Sequence, residues 1–531
     1  MPEPAAPGSA PLRRAVFRSL WMASVASNVG TWMHDTSASW LMVSLAPSPV
    51  MVALMQTAAT APFFLLALPG GALADVVDRR RLLLATQTWM LCAAATLGVV
   101  TLLGLVTPPV LLALTFLLGV GNAMNAPVWQ AIIPELVPRT ELPAAVTLGS
   151  MSFNVARAVG PTIGGLLFAA LGPGAVFLLN AASFVAVVAV VARWRRVPPK
   201  TTLPSEEVLG AIRAGVRYAR HAAPLQTVLW HCALFVPAAS ALWALLPLVG
   251  RQALGLGAVG YGLLLGCLGS GAIVAAWLLP RTAGRWTSDR LLAVNTLVFA
   301  VVSALLGLLG SPVAVGAVLL VGGAAWTACM STLTVAAQTA VPGWVRARAL
   351  AIGMLTIQGG LAVGSLVWGT TAAHFGLPAA FACAAAALAL GVGAGRRWPL
   401  EGLAKLDLTP TVHWAAPVVV GDVDRDEGPV LVTIEYTIDP VHADEFLRAA
   451  HALHALRRRD GAVSWGIYRD AEDPRRYVET FVAPSWIEHL RHHERVTAAD
   501  REIEALTRGF QVADVPVRVR HHLWSEPRDA E

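Results

Sequence analysis

Up to about residue 400 the chain alternates long apolar runs with short polar turns, and beyond it the runs give way to residue-by-residue alternation. Crossing the hydrocarbon core takes about 20 mostly apolar residues in a helix. Runs of that kind lie at 16–45, 50–72, 82–105, 108–130, 144–171 and 173–194, then at 224–249, 258–280, 288–309, 312–338, 346–373 and 377–396. They predict about twelve membrane spans. In the tail, the pattern predicts strands at 431–438, 463–468, 477–482 and 515–521, a helix at 442–459 and one or two helices within 485–509. That βαββαβ order predicts a ferredoxin-like sheet with its helices on one face. The expected fold class is therefore an all-α membrane protein of two six-helix repeats, followed by a C-terminal α+β domain.

Composition sharpens this reading. Of 531 residues 56% are hydrophobic and only 14% charged, against about 25% charged in soluble domains. The net charge of +6 does not point to nucleic acid, because the arginines fall in short blocks between apolar runs. Those blocks alternate with nearly uncharged turns. Arg13, Arg14 and Arg18 open the basic set, which continues with Arg79 to Arg81, Arg139, the segment from Arg193 to Arg220, Arg281 with Arg285 and Arg290, Arg346 with Arg348, and Arg396 with Arg397. Basic loops are retained in the cytoplasm, so both termini are expected there. The first run holds Asn28, His34 and Asp35 and has no clear cleavage site, which reads as a retained helix rather than a signal peptide. The five cysteines sit singly in different apolar runs with no paired spacing.

The halves resemble copies: Gln130, Pro134 and Val137 recur in the same spacing as Gln338, Pro342 and Val345, and Arg81-Leu82-Leu83 recurs as Arg290-Leu291-Leu292 at nearly the same displacement. The expected organisation is a six-helix half over 1–195, a cytoplasmic central loop over 196–223, a second half over 224–398, a linker over 399–428 and the tail domain over 429–526. A duplication of this kind places a binding cavity between halves that rock for alternating access.

Gly71-Ala72-Leu73-Ala74-Asp75, followed by Val76-Val77-Asp78-Arg79-Arg80-Arg81, lies in the turn after the second run. It resembles the cytoplasmic signature of the major facilitator superfamily, with Asp78 where that superfamily often has Gly. The resemblance implies a gating role for Gly71, Asp75, Arg79 and Arg80, the arginines latching the inward side. Arg157-Ala158-Val159-Gly160-Pro161-Thr162-Ile163-Gly164-Gly165 resembles the Gly-Pro motif of the exporter branch, assigning Gly160, Pro161, Gly164 and Gly165 to it; a kinked packing seam is the alternative. The stretch from Asn125 to Arg139 is similar to the subgroup of the enterobactin exporter, and the resemblance covers the whole membrane part. In the tail, Arg458 to Ala462, Trp465, Tyr468-Arg469-Asp470 and Arg491 to Thr497 resemble the domain appended to transmembrane secretion effectors, itself similar to antibiotic-biosynthesis monooxygenases. The family implies a bacterial inner membrane.

Asp35 is the one carboxylate well inside a predicted span, and Arg157 is the matching cation. A charge at the bilayer centre costs at least about 2.5–3.5 kcal/mol, so each asks for a reason. Both lie roughly 20–25 Å from the basic end at 1.5 Å per residue, and are expected to pair. Asp35 and Arg157 would then couple proton entry to export, or form a static pair that sets helix register. Asn28, Trp32, Gln56, Asn125, Asn154 and Gln358 are the candidates for the substrate cavity.

Nine of the thirteen histidines lie from His413 to His522, yet neither HExxH nor a spaced Cys/His set supports a metal. No cofactor and no metal site are expected. Three readings of the tail stay open: an enzyme with Trp465, Tyr468 and His492 around a pocket, a ligand sensor, and a homodimerising module. The expected function is a non-enzymatic, proton-coupled exporter in the lipid bilayer, moving a siderophore, drug or other small amphipathic molecule and binding no nucleic acid.

Overall fold

Proline fixes where many of the helices start. It lacks the N–H that a helix leaves unpaired in its first turn, and its φ is already helical. Pro49, Pro108, Pro173 and Pro312 each open a helix, while Asp78 caps another by accepting from the Arg81 N–H at 2.9 Å. The computed structural model describes residues 9–195, 208–282, 285–403, 406–411, 414, 423–424, 426–513 and 515–525. Helices α1 (Ala15–Leu45), α2 (Pro49–Val76), α3 (Arg79–Leu102), α4 (Pro108–Leu136), α5 (Leu142–Leu171) and α6 (Pro173–Arg193) come first. They are followed by α7 (Val208–His221), α8 (Ala223–Leu248), α9 (Ala258–Thr282), α10 (Ser288–Leu306), α11 (Pro312–Thr339) and α12 (Arg346–Gly395).

Among the described residues, 10 helices are long and apolar enough to cross a membrane. Two features separate this number from the runs read in the sequence. The 31-residue α1 is not among the ten; it carries Asn28, His34 and Asp35 among many Ser and Thr residues. The 50-residue α12 is broken at Gly376, whose φ of 84° lies in the left-handed region that glycine tolerates. The sequence expected a break at that place, with Pro378 just beyond.

The chain forms two compact units. The first comprises Met1–Val208, Leu229–Val335 and Gly353–Glu401. Its core follows helix pairs: α3 packs on α6 through Gly98 and Gly174, and Leu20, Leu83, Val128, Ile132 and Val187 close the basic end.

The second unit comprises Leu209–Val228, Ala336–Ile352 and Gly402–Glu531. The tail holds strands β1 (Val430–Thr437), β2 (Ser464–Arg469), β3 (Arg476–Ala483) and β4 (Arg518–Leu523), and helices α13 (Ala443–Asp460), α14 (Trp486–Arg495) and α15 (Ala498–Arg508). The strands make one antiparallel sheet in the order β2-β3-β1-β4. Strict alternation of burial along β3 turns Tyr477, Glu479, Phe481 and Ala483 inward, where they meet Phe446 and Trp486. A capping box between Thr497 and Asp500 starts α15.

The central segment, expected as a loop, contains α7, whose one apolar face buries Ala214 and Tyr218. Tyr218 meets Trp344 edge-on at 5.7 Å, Arg459 lies over the Tyr218 ring at 5.8 Å, and Arg495 lies over Trp344 at 4.7 Å. Within this unit α7 and residues 336–352 thus pack with the tail as one body.

Candidate functional site

Small residues let α5 touch neighbours on two sides. A Cβ on Gly160 would lie 2.6 Å from the Trp32 Cβ, and one on Gly164 would lie 2.8 Å from the Met33 Cα, so this face is closed onto α1. The adjoining face meets α9: a Cβ on Gly165 would stand 2.5 Å from the Ala258 carbonyl, one on Gly262 2.5 Å from the Pro161 carbonyl, and one on Gly269 2.5 Å from the Ala158 Cα. Backbones this close can be packed only by glycine or another small residue. A second seam joins α2 to α12, where the Thr57 hydroxyl donates to the Ala362 carbonyl at 3.0 Å and Gly369 lies against Ala53. Farther from the Arg79–Arg81 turn, Trp40 stacks on Tyr261 at 5.4 Å and Gln252 donates to the Pro47 carbonyl at 3.2 Å. Helices α1, α2 and α5 therefore meet α9 and α12 toward the ends opposite the Arg79–Arg81 turn.

Below that closure, Asn28, Trp32, Asp35 and Ser39 recur at helical spacing on the least buried stripe of α1. Tyr261 of α9 is within electrostatic range of Asp35 and hydrogen-bonds Ser39, so the stripe faces the second half. His34 turns the other way and is buried against Phe177 at 4.6 Å. Arg157 donates to the Thr327 hydroxyl of α11 at 2.8 Å.

The expected Asp35–Arg157 pair is not formed in this conformation. Helices α1 and α5 run in register with an offset of 127 residues, seen at Arg14 with Glu141 and Trp21 with Leu148. That register puts Arg157 level with residue 30, and Asp35 stands roughly 8 Å farther along at 1.5 Å per residue.

The other cavity candidates separate. Asn28 donates to Ser152 at 3.1 Å, Asn154 bonds its own helix at Ser150, and Trp32 meets Phe153 edge-on at 6.1 Å. Asn125 accepts from Thr86 and Gln87, each at 3.2 Å, and so ties α4 to α3. Gln56 and Gln358 flank the α2–α12 seam, beside Thr57 and Gly359. A cleft of about 450 Å³ lined by His231, Phe235, Asp289, Arg290 and Leu388 includes none of these residues.

In the gating motif, Arg79 donates to the Ala131 carbonyl at 3.0 Å and to Glu135 at 2.9 Å, while Arg80 donates to the carbonyls of Val191 and Ala192 at 3.0 and 2.6 Å. The arginines thus bind α3 to the ends of α4 and α6 inside one half, where a cation favours the helix C-terminus. Gly71 has open space around it. The side chain of Asp75 lies outside the described residues.

The tail buries a charge network beside its aromatics. Arg457 meets Glu479 at 3.0 Å and Glu504 at 2.5 Å. Glu479 also accepts from Trp465 and Tyr436, each at 3.0 Å, and Glu504 from Trp414 at 2.9 Å. Burial works against the Arg457 charge, yet the two carboxylates hold it protonated well above its ordinary range. Arg459 bridges Asp460 at 2.7 Å and Asp500 at 2.6 Å.

Tyr468 does not join Trp465 and His492. It is 62% exposed, because the two-residue period of β2 turns Trp465 and Ile467 to the core and Tyr468 to the opposite face. His492 is buried between Trp414 at 5.3 Å and Phe481 at 5.4 Å, and burial, then Arg457, push its pKa well down.

Sequence reasoning missed Thr327, Tyr261 and a histidine cluster. His489 and His493 are one turn apart on α14, a spacing visible in the sequence, and β4 adds His521. His489 is fully buried, and burial together with its two neighbours takes its pKa down to about 3.

The family described as "Transmembrane secretion effector" matches residues 6–529. The staphyloferrin A transporter of Staphylococcus aureus is 29% identical over 161 residues, 30% of this chain and 41% of that protein. The multidrug efflux pump Tap of Mycolicibacterium fortuitum is 24% identical over 224 residues, 41% of this chain and 55% of that one. The matched region thus spans about half the length of these curated relatives, or less. Among solved structures, a bacterial homologue of the human lysosomal transporter Spinster, inward-facing and unoccupied, superposes with a TM-score of 0.56 at 15% identity, covering 75% of this chain and 96% of that one. A POT family transporter gives 0.59 at 13% identity, covering 71% and 94%. These likenesses establish the transporter fold.

Proposed function

The chain belongs to the transmembrane secretion effector family of major-facilitator transporters, and on that premise we propose that it exports small amphipathic molecules by alternating access in exchange for protons. In this reading twelve helices cross the bacterial inner membrane with both termini in the cytoplasm. The tail is ferredoxin-like, as its strand order supports. The basic loops set the orientation, and the helices that converge at the opposite ends then describe a carrier open to the cytoplasm. Relatives named for a siderophore and for multidrug efflux support the substrate class.

The observation that carries the coupling is the placement of Asp35, a carboxylate on the open stripe of α1, beneath the closure made by Trp40 and Tyr261. A carboxylate there is protonated or charged according to which side water enters from. Arg157, parked on Thr327, is the counter-ion it would meet once the halves rock. In inside-out vesicles, proton-driven uptake of a siderophore and of amphipathic dyes is expected to vanish in Asp35→Asn while downhill exchange of the same substrates persists. Gradient-driven uptake that survives Asp35→Asn refutes this coupling.

For the tail, the reading we favour is a regulatory or dimerising module rather than an enzyme. Its support is that α7 and residues 336–352 belong to the same compact unit, and that the Trp465 indole is already engaged by Glu479.

A further inference from the structure

Helix α14 turns three histidines inward at positions 489, 492 and 493, and two of them meet a third from the sheet. The ring nitrogens of His489, His493 and His521, one from each, lie within 4.8 Å of one another. The Nε2 atoms of His489 and His493 are 3.3 Å apart. Imidazole nitrogens about 2.0–2.1 Å from a tetrahedral zinc ion stand about 3.3 Å from each other, so this edge is already at the ligand separation. The rings cross steeply, at 84° for His489 with His493 and 58° for His489 with His521, so neither neighbour is stacked face to face on His489.

The contact between His489 and His493 is also within hydrogen-bond distance, but it engages only one nitrogen of the buried His489 ring. Burial of a polar ring without partners is costly. His489 is fully buried, yet its Nδ1 has no hydrogen-bond partner among the described residues. Glu488, next to His489, is taken by Arg491 at 2.7 Å and Arg495 at 3.0 Å, Glu494, next to His493, is exposed, and the remaining walls include the indoles of Trp414 and Trp486. His493 and His521 are only partly buried, which leaves a way in from solvent.

We propose that the tail binds one divalent cation of the zinc, nickel or copper class through His489, His493 and His521. Three imidazoles with no carboxylate select borderline metals and reject magnesium and calcium, which need oxygen donors. Three protein ligands also leave a coordination position open for water or a small anion. The proposal does not rest on transport and holds or fails whether or not the carrier is proton-coupled.

The test uses the full-length chain, free of any histidine tag, in detergent or nanodiscs. Titration with Co²⁺ is expected to give one equivalent per chain and the strong visible bands of a four- or five-coordinate site, displaced by Zn²⁺ and untouched by Mg²⁺ or Ca²⁺. His493→Gln and His521→Gln, both partly exposed positions, are each expected to weaken Zn²⁺ binding by about tenfold or more while melting near the wild-type temperature in the absence of metal. The fully buried His489→Gln is a secondary variant. An absence of stoichiometric Co²⁺ binding in the wild type overturns the proposal whatever the variants do. So does unchanged affinity in the folded His493→Gln/His521→Gln double variant.

Discussion

The two units hold themselves together by opposite means. Between α5 and α9 the backbones come almost into contact, with Gly165, Gly262 and Gly269 each allowing an approach that one methyl group would block, and the Thr162 hydroxyl donates to the Gly262 carbonyl at 3.3 Å. In the tail, the corresponding contacts between α13, α15 and the sheet run through Arg457, Glu479, Glu504, Arg459, Asp460 and Asp500. The difference follows from the solvent. In lipid there is no hydrophobic gain from joining two apolar helices, so close packing of small residues and a few hydrogen bonds are what associate them. In a water-surrounded domain, a buried ion network is tolerated only when every member is satisfied, and it then holds one arrangement.

The largest effect expected is on the glycine seam. Gly262→Val places side-chain atoms on the Pro161 carbonyl, and substrate uptake in vesicles should fall to background while the protein still inserts. Full activity in that variant breaks the view that the seam must stay closely packed. Next comes the tail network, where Arg457→Leu strands two buried carboxylates and should cost about 3–5 kcal/mol, read as faster hydrogen exchange across residues 430–523. Glu479→Gln with Glu504→Gln in the same chain should recover part of that loss.

A smaller effect is expected at a helix start, where Asp78→Ala removes the cap of α3 at a cost of about 1 kcal/mol, visible as exchange confined to its first turn. The smallest concerns the exposed pair of Arg14 with Glu141 at 3.0 Å. The Arg14 bond holds the Glu141 carboxyl below its ordinary value of 4.5. Its contribution is therefore complete above that pH and is lost as pH falls through the lowered pKa. Titration of Glu141 at its ordinary value would show the pair to be inert.

Much of this was legible in the residues. The apolar runs placed the starts of α2, α4, α6 and α11 to within one residue, the break near Gly376 was anticipated, and the alternation in the tail placed its strands to within a few residues. The central segment was not, because α7 is short and shows a single apolar face instead of a membrane-length run. The cavity candidates fared unevenly for a related reason. Asn28, Trp32 and Asp35 share one stripe because they share one helix, whereas Asn125 is spent on Thr86 and Gln87, partners on a neighbouring helix that no spacing within α4 reveals.

Local pattern by itself determined which segments are helix or strand, which face of each is apolar and which runs are long and apolar enough to cross a membrane, because those properties repeat over neighbouring residues. Tertiary structure alone decided that Arg157 reaches Thr327 and not Asp35 and that His521 closes on His489 and His493. Each of these depends on the stagger between two helices or the register of two strands, and a shift of one residue in either changes which side chains meet.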